Sequence, residues 1–327
     1  MTRRILPFCA ALAGLFVLSC DDGAREDDLD QNPPLALVGI NVGTSTPLRP
    51  GAAIELSFDR LLKPSSVVRQ SFAVRDAFGE AVDPPVVTYD PVTRVVRIAS
   101  PKPPGEVWLK PDQPYILVLG VPRPNEELGG FRAIDDSPMD ANARRVFGFQ
   151  VRGTEAPPVT LAPVDYCRDI KPLFAEKCLG CHSAGDASGL DLATPAGIAA
   201  SIGRIAREAS RGPSASTGTA PGRLFGPDMP ILDAGNASNS FLLYKVLLNR
   251  PGTGETKTCG PATVVSEPGV RYLPDPGDAE RARLGARVFG QPMPPPPAPG
   301  LTDAERRRLS AWIAGGAKTD ATCNCAP

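Results

Sequence analysis

Between residues 37 and 151 apolar side chains recur with period two. In Ile54, Leu56 and Phe58 they alternate with Glu55 and Ser57, and short apolar stretches return at 37–42, 72–74, 86–89, 95–98, 115–119 and 147–151. Alternation of this kind turns one face of a strand to a core and the other to water. Asp90 and Pro91 supply a turn between the two middle stretches, which predicts a hairpin there. Several short strands with turn residues between them predict an antiparallel, all-β sandwich over residues 35–153. A proline-dense break, TEAPPVTLAP at 154–163, carries no apolar pattern and reads as an interdomain linker. Beyond it the period changes. Ile170, Leu173, Phe174 and Cys178 fall at helical spacing, so a short helix with one apolar face runs into Cys178. A further helix is expected over 239–248. The last is punctuated at both ends: Thr302 and Glu305 form a capping box, Leu309, Trp312 and Ile313 supply the apolar face, and Gly315 and Gly316 stop it.

A chain of 327 residues exceeds what one core usually organises, which agrees with a multidomain reading. Its 38 prolines and 32 glycines imply many turns and few long helices. A net charge of −1, with no run of Lys or Arg to neutralise successive phosphates, sets nucleic acid aside as a partner. At the N-terminus, Arg3 and Arg4 precede an apolar run over 5–17 that is too short to span a bilayer and ends at Ser19-Cys20, followed by Asp21 and Asp22. Residues 1–19 thus read as an export signal and 20–34, with Asp27, Asp28 and Asp30, as an acidic tether. Val17-Leu18-Ser19-Cys20 resembles the lipobox of bacterial lipoproteins. The resemblance implies lipidation at Cys20 and a chain anchored to the cell envelope through its lipid, on the periplasmic or the cell-surface side.

Export places the cysteines where thiols are oxidised. Cys167, Cys259, Cys323 and Cys325 are then candidates for two disulfides, with Cys323 and Cys325 each reaching for Cys167 or Cys259 because one intervening residue places them poorly for each other. In the β segment, which lacks histidine and cysteine, Asp135, Asp136 and Asp140 read most simply as a solvated loop, with calcium as the alternative. A spacer or docking role is the default there.

The chemistry concentrates at Cys178-Leu179-Gly180-Cys181-His182, a C-x-x-C-H motif within 164–327 that holds the chain's only histidine. Two thiols three positions apart on a helical turn can each add to one vinyl group of the same porphyrin, and the adjacent imidazole then meets the iron. A zinc site would need further ligands at C-x-x-C or histidine spacing, and a thioredoxin-type pair would be expected beside a strand–helix unit; neither pattern is present. The expected cofactor is one covalent haem c, with Cys178, Cys181 and His182 as its attachment residues. A sixth ligand has to be found elsewhere. Methionine leads, as Met293 in QPMPPPPAPG or Met229 in GPDMPIL.

Two family resemblances extend these readings. IELSFDRLLKPSSV, SFAVRDAFGEAV, YILVL and FGFQV resemble the bacterial Ig-like domains of envelope proteins, which implies an Ig-like sandwich over 35–153. MPPPPAPGLTDAERRRLSAWIAGGA, over 293–317, resembles the distal loop and final helix of class I cytochromes c. That likeness implies an all-α cytochrome c-like domain over 164–327, Met293 as the distal iron ligand, and a final helix whose Trp312 meets Ile170 and Phe174. The span from His182 to Met293 is longer than that family's minimum. Iron held by His182 and Met293 has no open position, which favours a one-electron carrier with a redox protein as partner over an enzyme with its own substrate. The alternatives are a peroxidase-type haem oxidoreductase with an open distal site, and an interaction or structural lipoprotein in which the Ig-like domain does the work.

Overall fold

A computed structural model describes residues 32–103, 105–121, 129–154, 163–184, 189–207, 226, 228–273 and 275–323. The export signal with Cys20, most of the tether and of the linker, and Cys325 lie outside the described residues.

Each apolar stretch of the N-terminal half is a strand. β1 (Leu37–Ile40), β2 (Ile54–Phe58), β4 (Val86–Asp90) and β5 (Val95–Ala99) form one antiparallel sheet in the order β1-β2-β5-β4, while β3 (Phe72–Asp76), β6 (Pro114–Leu119) and β7 (Val146–Gln150) form a second in the order β3-β6-β7. The two sheets share a core: Leu56, Tyr89, Val96 and Ile98 from the first meet Phe72, Val74, Leu117, Phe147 and Phe149 from the second. The expected turn at Asp90 is present, with Asp90 opposite Val95 in the register. Its carboxylate accepts from Val92 N and Thr93 Oγ1, at 3.0 and 3.1 Å.

The C-terminal half departs from expectation. Its described residues contain five short α-helices, α1 (Lys171–Lys177), α2 (Pro195–Ser201), α3 (Phe241–Leu247), α4 (Gly277–Gly285) and α5 (Asp303–Ala314), with one π-type turn at Tyr166–Ile170 leading into α1. Long irregular stretches and isolated bridges, Ile202 to Leu232 and Ile205 to Pro230, connect them. The described chain is a mixed structure with two antiparallel sheets, and the expected all-α cytochrome c-like domain is absent from it. The physical reason lies in composition: prolines and glycines recur at 250–252, 260–261, 268–269 and 292–300, and each proline removes a donor that a helix ladder needs.

The two halves are also packed together. All five residues of β2 are buried, including Glu55 and Ser57, whose alternation predicts a solvent face. Residues 269–273 cover that face: Ser57 Oγ donates to the Arg271 carbonyl at 2.6 Å, Gly269 N donates to Glu55 at 2.9 Å, and Arg94 donates to the Leu273 carbonyl at 2.6 Å. Leu61 and Ile134 enter a core with Phe241, Tyr244, Leu284 and Val288, and Val92 enters the core around α1 and α5. Ser310 on α5 donates to Asp90 at 2.8 Å.

Charge pins the same seam. Glu280 on α4 accepts from Arg60 Nε at 3.1 Å, from Leu61 N at 3.0 Å and from Arg283 at 3.1 Å, while Arg60 also pairs with Asp135. The Arg60, Asp135 and Glu280 side chains are 4, 6 and 4% exposed. Asp136 pairs with Lys63 and Arg287. The expected solvated loop is thus corrected: Asp135 and Asp136 are buried and face the chain's own cations. Removing one member of such a group strands the rest in low dielectric, at a cost of about 3–5 kcal/mol. Glu280→Ala is expected to lower stability by about that amount in urea unfolding of the full chain, and Glu280→Gln, which keeps the acceptor oxygen, by distinctly less. Equal, near-zero effects would remove this seam from the account of stability.

Candidate functional site

The C-x-x-C-H motif begins where α1 ends. Pro172 sits in the first turn of α1, where its missing donor costs nothing, and Leu173 and Phe174 turn inward. Cys178 N and Leu179 N both donate to the Phe174 carbonyl, at 2.8 and 3.0 Å, so the helix closes on itself at the first cysteine. The chain then folds back in one turn: Cys181 N and His182 N donate to the Cys178 carbonyl at 3.2 and 3.0 Å. The His182 carbonyl accepts from Leu192 N at 2.9 Å, which returns the chain to the core.

α5 holds this helix from behind. Its capping box is complete, with Glu305 N donating to Thr302 Oγ1 at 3.2 Å and Thr302 N donating to Glu305 at 2.7 Å. The second Glu305 oxygen accepts from Thr256 N at 2.7 Å, so one buried carboxylate fixes both the helix start and a loop of the long 182–293 span. Trp312 lies edge-on to Phe174 at 5.8 Å between centroids and stacks on Tyr166 at 6.3 Å, and Ile170 shares that core. Its indole N–H donates to the Lys318 carbonyl at 2.8 Å. Such ring pairs contribute about 1 kcal/mol each beyond the area they bury.

Cys178, Leu179 and Met293 are partly buried against this one core. Met229 is not: it is 2% exposed, within the separate core of Phe241 and Tyr244, and its methyl end fills the space a Cβ on Gly226 would need. Burial, with the nearby Glu305 charge, pushes the Cys178 thiol up to about 12. Cys181 is exposed and His182 half-buried.

Among the described cysteines, Cys178 and Cys181 alone are unbonded. Cys167 is joined to Cys323 across 156 residues with 5.3 Å between Cα atoms, which ties the entry to α1 to the chain beyond α5. Cys259 is disulfide-bonded too, with its partner outside the described residues. The pairing expected for Cys323 is therefore present, and the expectation for Cys325 falls on a residue outside the described set.

Sequence reasoning missed the groups that lock this region. Asp169, with a fully buried side chain, accepts from Asp165 N at 3.0 Å, Thr263 N at 2.9 Å and Thr263 Oγ1 at 2.6 Å, and pairs with Arg168. A lone aspartate on a helical face carries no signal of such a role. The cleft lined by Asp165, Tyr166, Arg168 and Lys318 lies at the disulfide end of the core and includes none of the motif residues.

No protein-family model matches the chain, and no curated protein matches it. Among solved structures it is similar to surface layer protein SbsC, domains 1–6, at 9% identity and a TM-score of 0.27, over 42% of this chain and 17% of that one. So slight an overlap carries no argument for fold or function. Among the described residues no helix is long and apolar enough to cross a membrane.

Burial pushes the Asp169 carboxyl up, but hydrogen bonds from Arg168 and Thr263 outweigh it and hold its pKa below the usual carboxylate range. A carboxyl with a depressed folded pKa contributes stability that is complete above its unfolded value, about 3.9, and is lost as pH falls through the folded pKa. Asp169→Asn is therefore expected to lower stability by a constant amount above about pH 5, with the gap to wild type narrowing below about pH 4. Urea unfolding at stepped pH measures this, and a gap that stays constant to pH 3 contradicts it.

Proposed function

We propose that this chain is an exported, lipid-anchored haem protein that carries single electrons in the cell envelope, with haem held covalently by Cys178 and Cys181. One observation carries the reading: among the described cysteines, the two that stay unbonded while Cys167, Cys259 and Cys323 are oxidised are the two beside the only histidine, and Cys178 packs on the core that also receives Met293. The donor set fits the group. Two thiols could form thioether links to the vinyl groups of one porphyrin, and the imidazole and the methionine sulfur could hold its iron. When bound, the haem supplies a reversible one-electron change at its iron.

The chain's own part is to place and shield these donors. α1 delivers Cys178 at its last turn, and the tight return through Gly180 sets Cys181 and His182 beside it. Trp312, Phe174 and Tyr166 belong to the apolar core on which Cys178 packs, which would lower local polarity and favour the less charged state of a bound redox centre. Met293 would hold the iron as the second protein donor, and its place on the core that Cys178 packs against supports it over Met229. Burial keeps Cys178 as the neutral thiol rather than the thiolate that attacks disulfides. The haem-binding segment in this reading is of mixed and largely irregular structure, and the sandwich forms part of its support.

Produced in a host with cytochrome c maturation machinery, the wild-type chain is expected to retain a haem stain on a denaturing gel, and the Cys178→Ala/Cys181→Ala double variant to lose it. A colourless wild type with the mass of the polypeptide and its lipid alone ends the proposal. Cys20→Ser is expected to move the protein from the membrane to the soluble envelope fraction while the stain persists. An unchanged membrane fraction removes the lipid anchor and leaves the haem reading intact.

A further inference from the structure

The long span between His182 and Met293 includes α3 and its exit, and these residues grip the segment that carries Met293. Lys245, 6% exposed, donates from Nζ to the Phe289 carbonyl at 2.8 Å, and its own carbonyl accepts from Met293 N at 3.0 Å. One turn later Asn249 Nδ2 donates to the Pro294 carbonyl at 2.8 Å. Gly252 N donates to the Leu301 carbonyl at 3.2 Å, and the two backbones approach so closely there that a Cβ on Gly252 would lie 2.2 Å from the Gly300 oxygen. Asn249 is itself anchored, because the fully buried Arg306 of α5 donates to its carbonyl at 2.7 Å. Residues 245–252 thus bind the Met293 segment before, at and after the methionine.

Such a grip has a chemical meaning if Met293 binds iron. The thioether is a weak, neutral donor, and an exogenous base competes with it for the same coordination position. What decides the competition is how much the loop resists moving away. Proline rings at 294–297 stiffen the loop but offer no backbone donor to anchor it. The side-chain donors that anchor it come from outside: the Lys245 ammonium and the Asn249 amide.

We infer that Asn249 and Lys245 are positioning residues for Met293, holding the segment that would present its sulfur to the iron and disfavouring its replacement by other ligands. The inference rests on the reading of Met293 as an axial ligand. Neither residue touches the haem in this account; each acts through the 289–294 backbone. Loss of one such hydrogen bond is expected to shift ligand competition by roughly tenfold.

The test uses the full, haem-loaded chain and imidazole as the competing ligand, followed with the thioether–iron charge-transfer band of the oxidised protein. Asn249→Asp keeps the acceptor used by Arg250 N and loses the amide donor. Lys245→Met keeps the buried stem and loses the ammonium, which provides a second variant should the first fail to load haem. Each is expected to weaken the band and to tighten imidazole binding about tenfold. Asp278→Ala, which removes the exposed Arg250–Asp278 pair beside the same turn, is expected to leave both unchanged. If both positioning variants titrate as wild type while Met293→Ala abolishes the band, the inference fails and Met293 ligation stands. If Met293→Ala leaves band and affinity as they were, the ligand reading fails and takes the inference with it.

Discussion

The packing of Trp312 between Tyr166 and Phe174 is the interaction on which the rest of the C-terminal half depends. It joins a seven-residue helix that could not persist alone in water to a twelve-residue helix late in the chain. Without it the motif would sit at the frayed end of a helix of about two turns. With it, the last turn of α1 has a fixed wall behind it, and Glu305 at the start of α5 draws in the loop at Thr256. The Cys167–Cys323 bridge closes the same unit covalently from the far side.

A second layer of constraint comes from the sandwich. Its first sheet is covered on its outer face by residues 269–273, and its loops at Leu61, Val92 and Ile134 reach into the cores of the other half. The seam is apolar at its centre and charged along one side, where Arg60, Asp135 and Glu280 exclude water together. Buried ion groups of this type add little net stability over apolar packing but tolerate few other arrangements. They fix how the two halves meet more than how strongly.

Local pattern carried much of this architecture, and its failures have physical causes. All seven strands were legible because period-two alternation is a local signal. The helix entering Cys178, the capping box at Thr302 and the apolar face around Trp312 were legible because capping and helical spacing are local too. What was illegible is what one segment does to another. Glu55 and Ser57 look like solvent positions until residues 269–273 lie across them. Asp135 and Asp136 look like a polar loop until Arg60 and Arg287 close over them, and Asn249 is an ordinary helix-exit residue until the Pro294 carbonyl arrives. The all-α expectation failed for a related reason: it extended the likeness of a short terminal stretch across a proline-rich span that cannot sustain a helical ladder. Of the proposed site, the motif itself was read directly and Met293 was expected from the cytochrome likeness, whereas its packing on the same core as Cys178 needed the fold.

The Cys167–Cys323 bond also sets a problem of timing. Its two halves are 156 residues apart, so at roughly 5–20 residues per second Cys167 is made about 8–30 s before its partner. Throughout that interval Cys178 and Cys181 are its nearest thiols along the chain, and an oxidising compartment favours whichever pair meets first. Correct assembly is then a race: the nascent polypeptide must be kept from oxidising until its end emerges, or the two motif thiols must be chemically consumed before Cys167 can capture one of them.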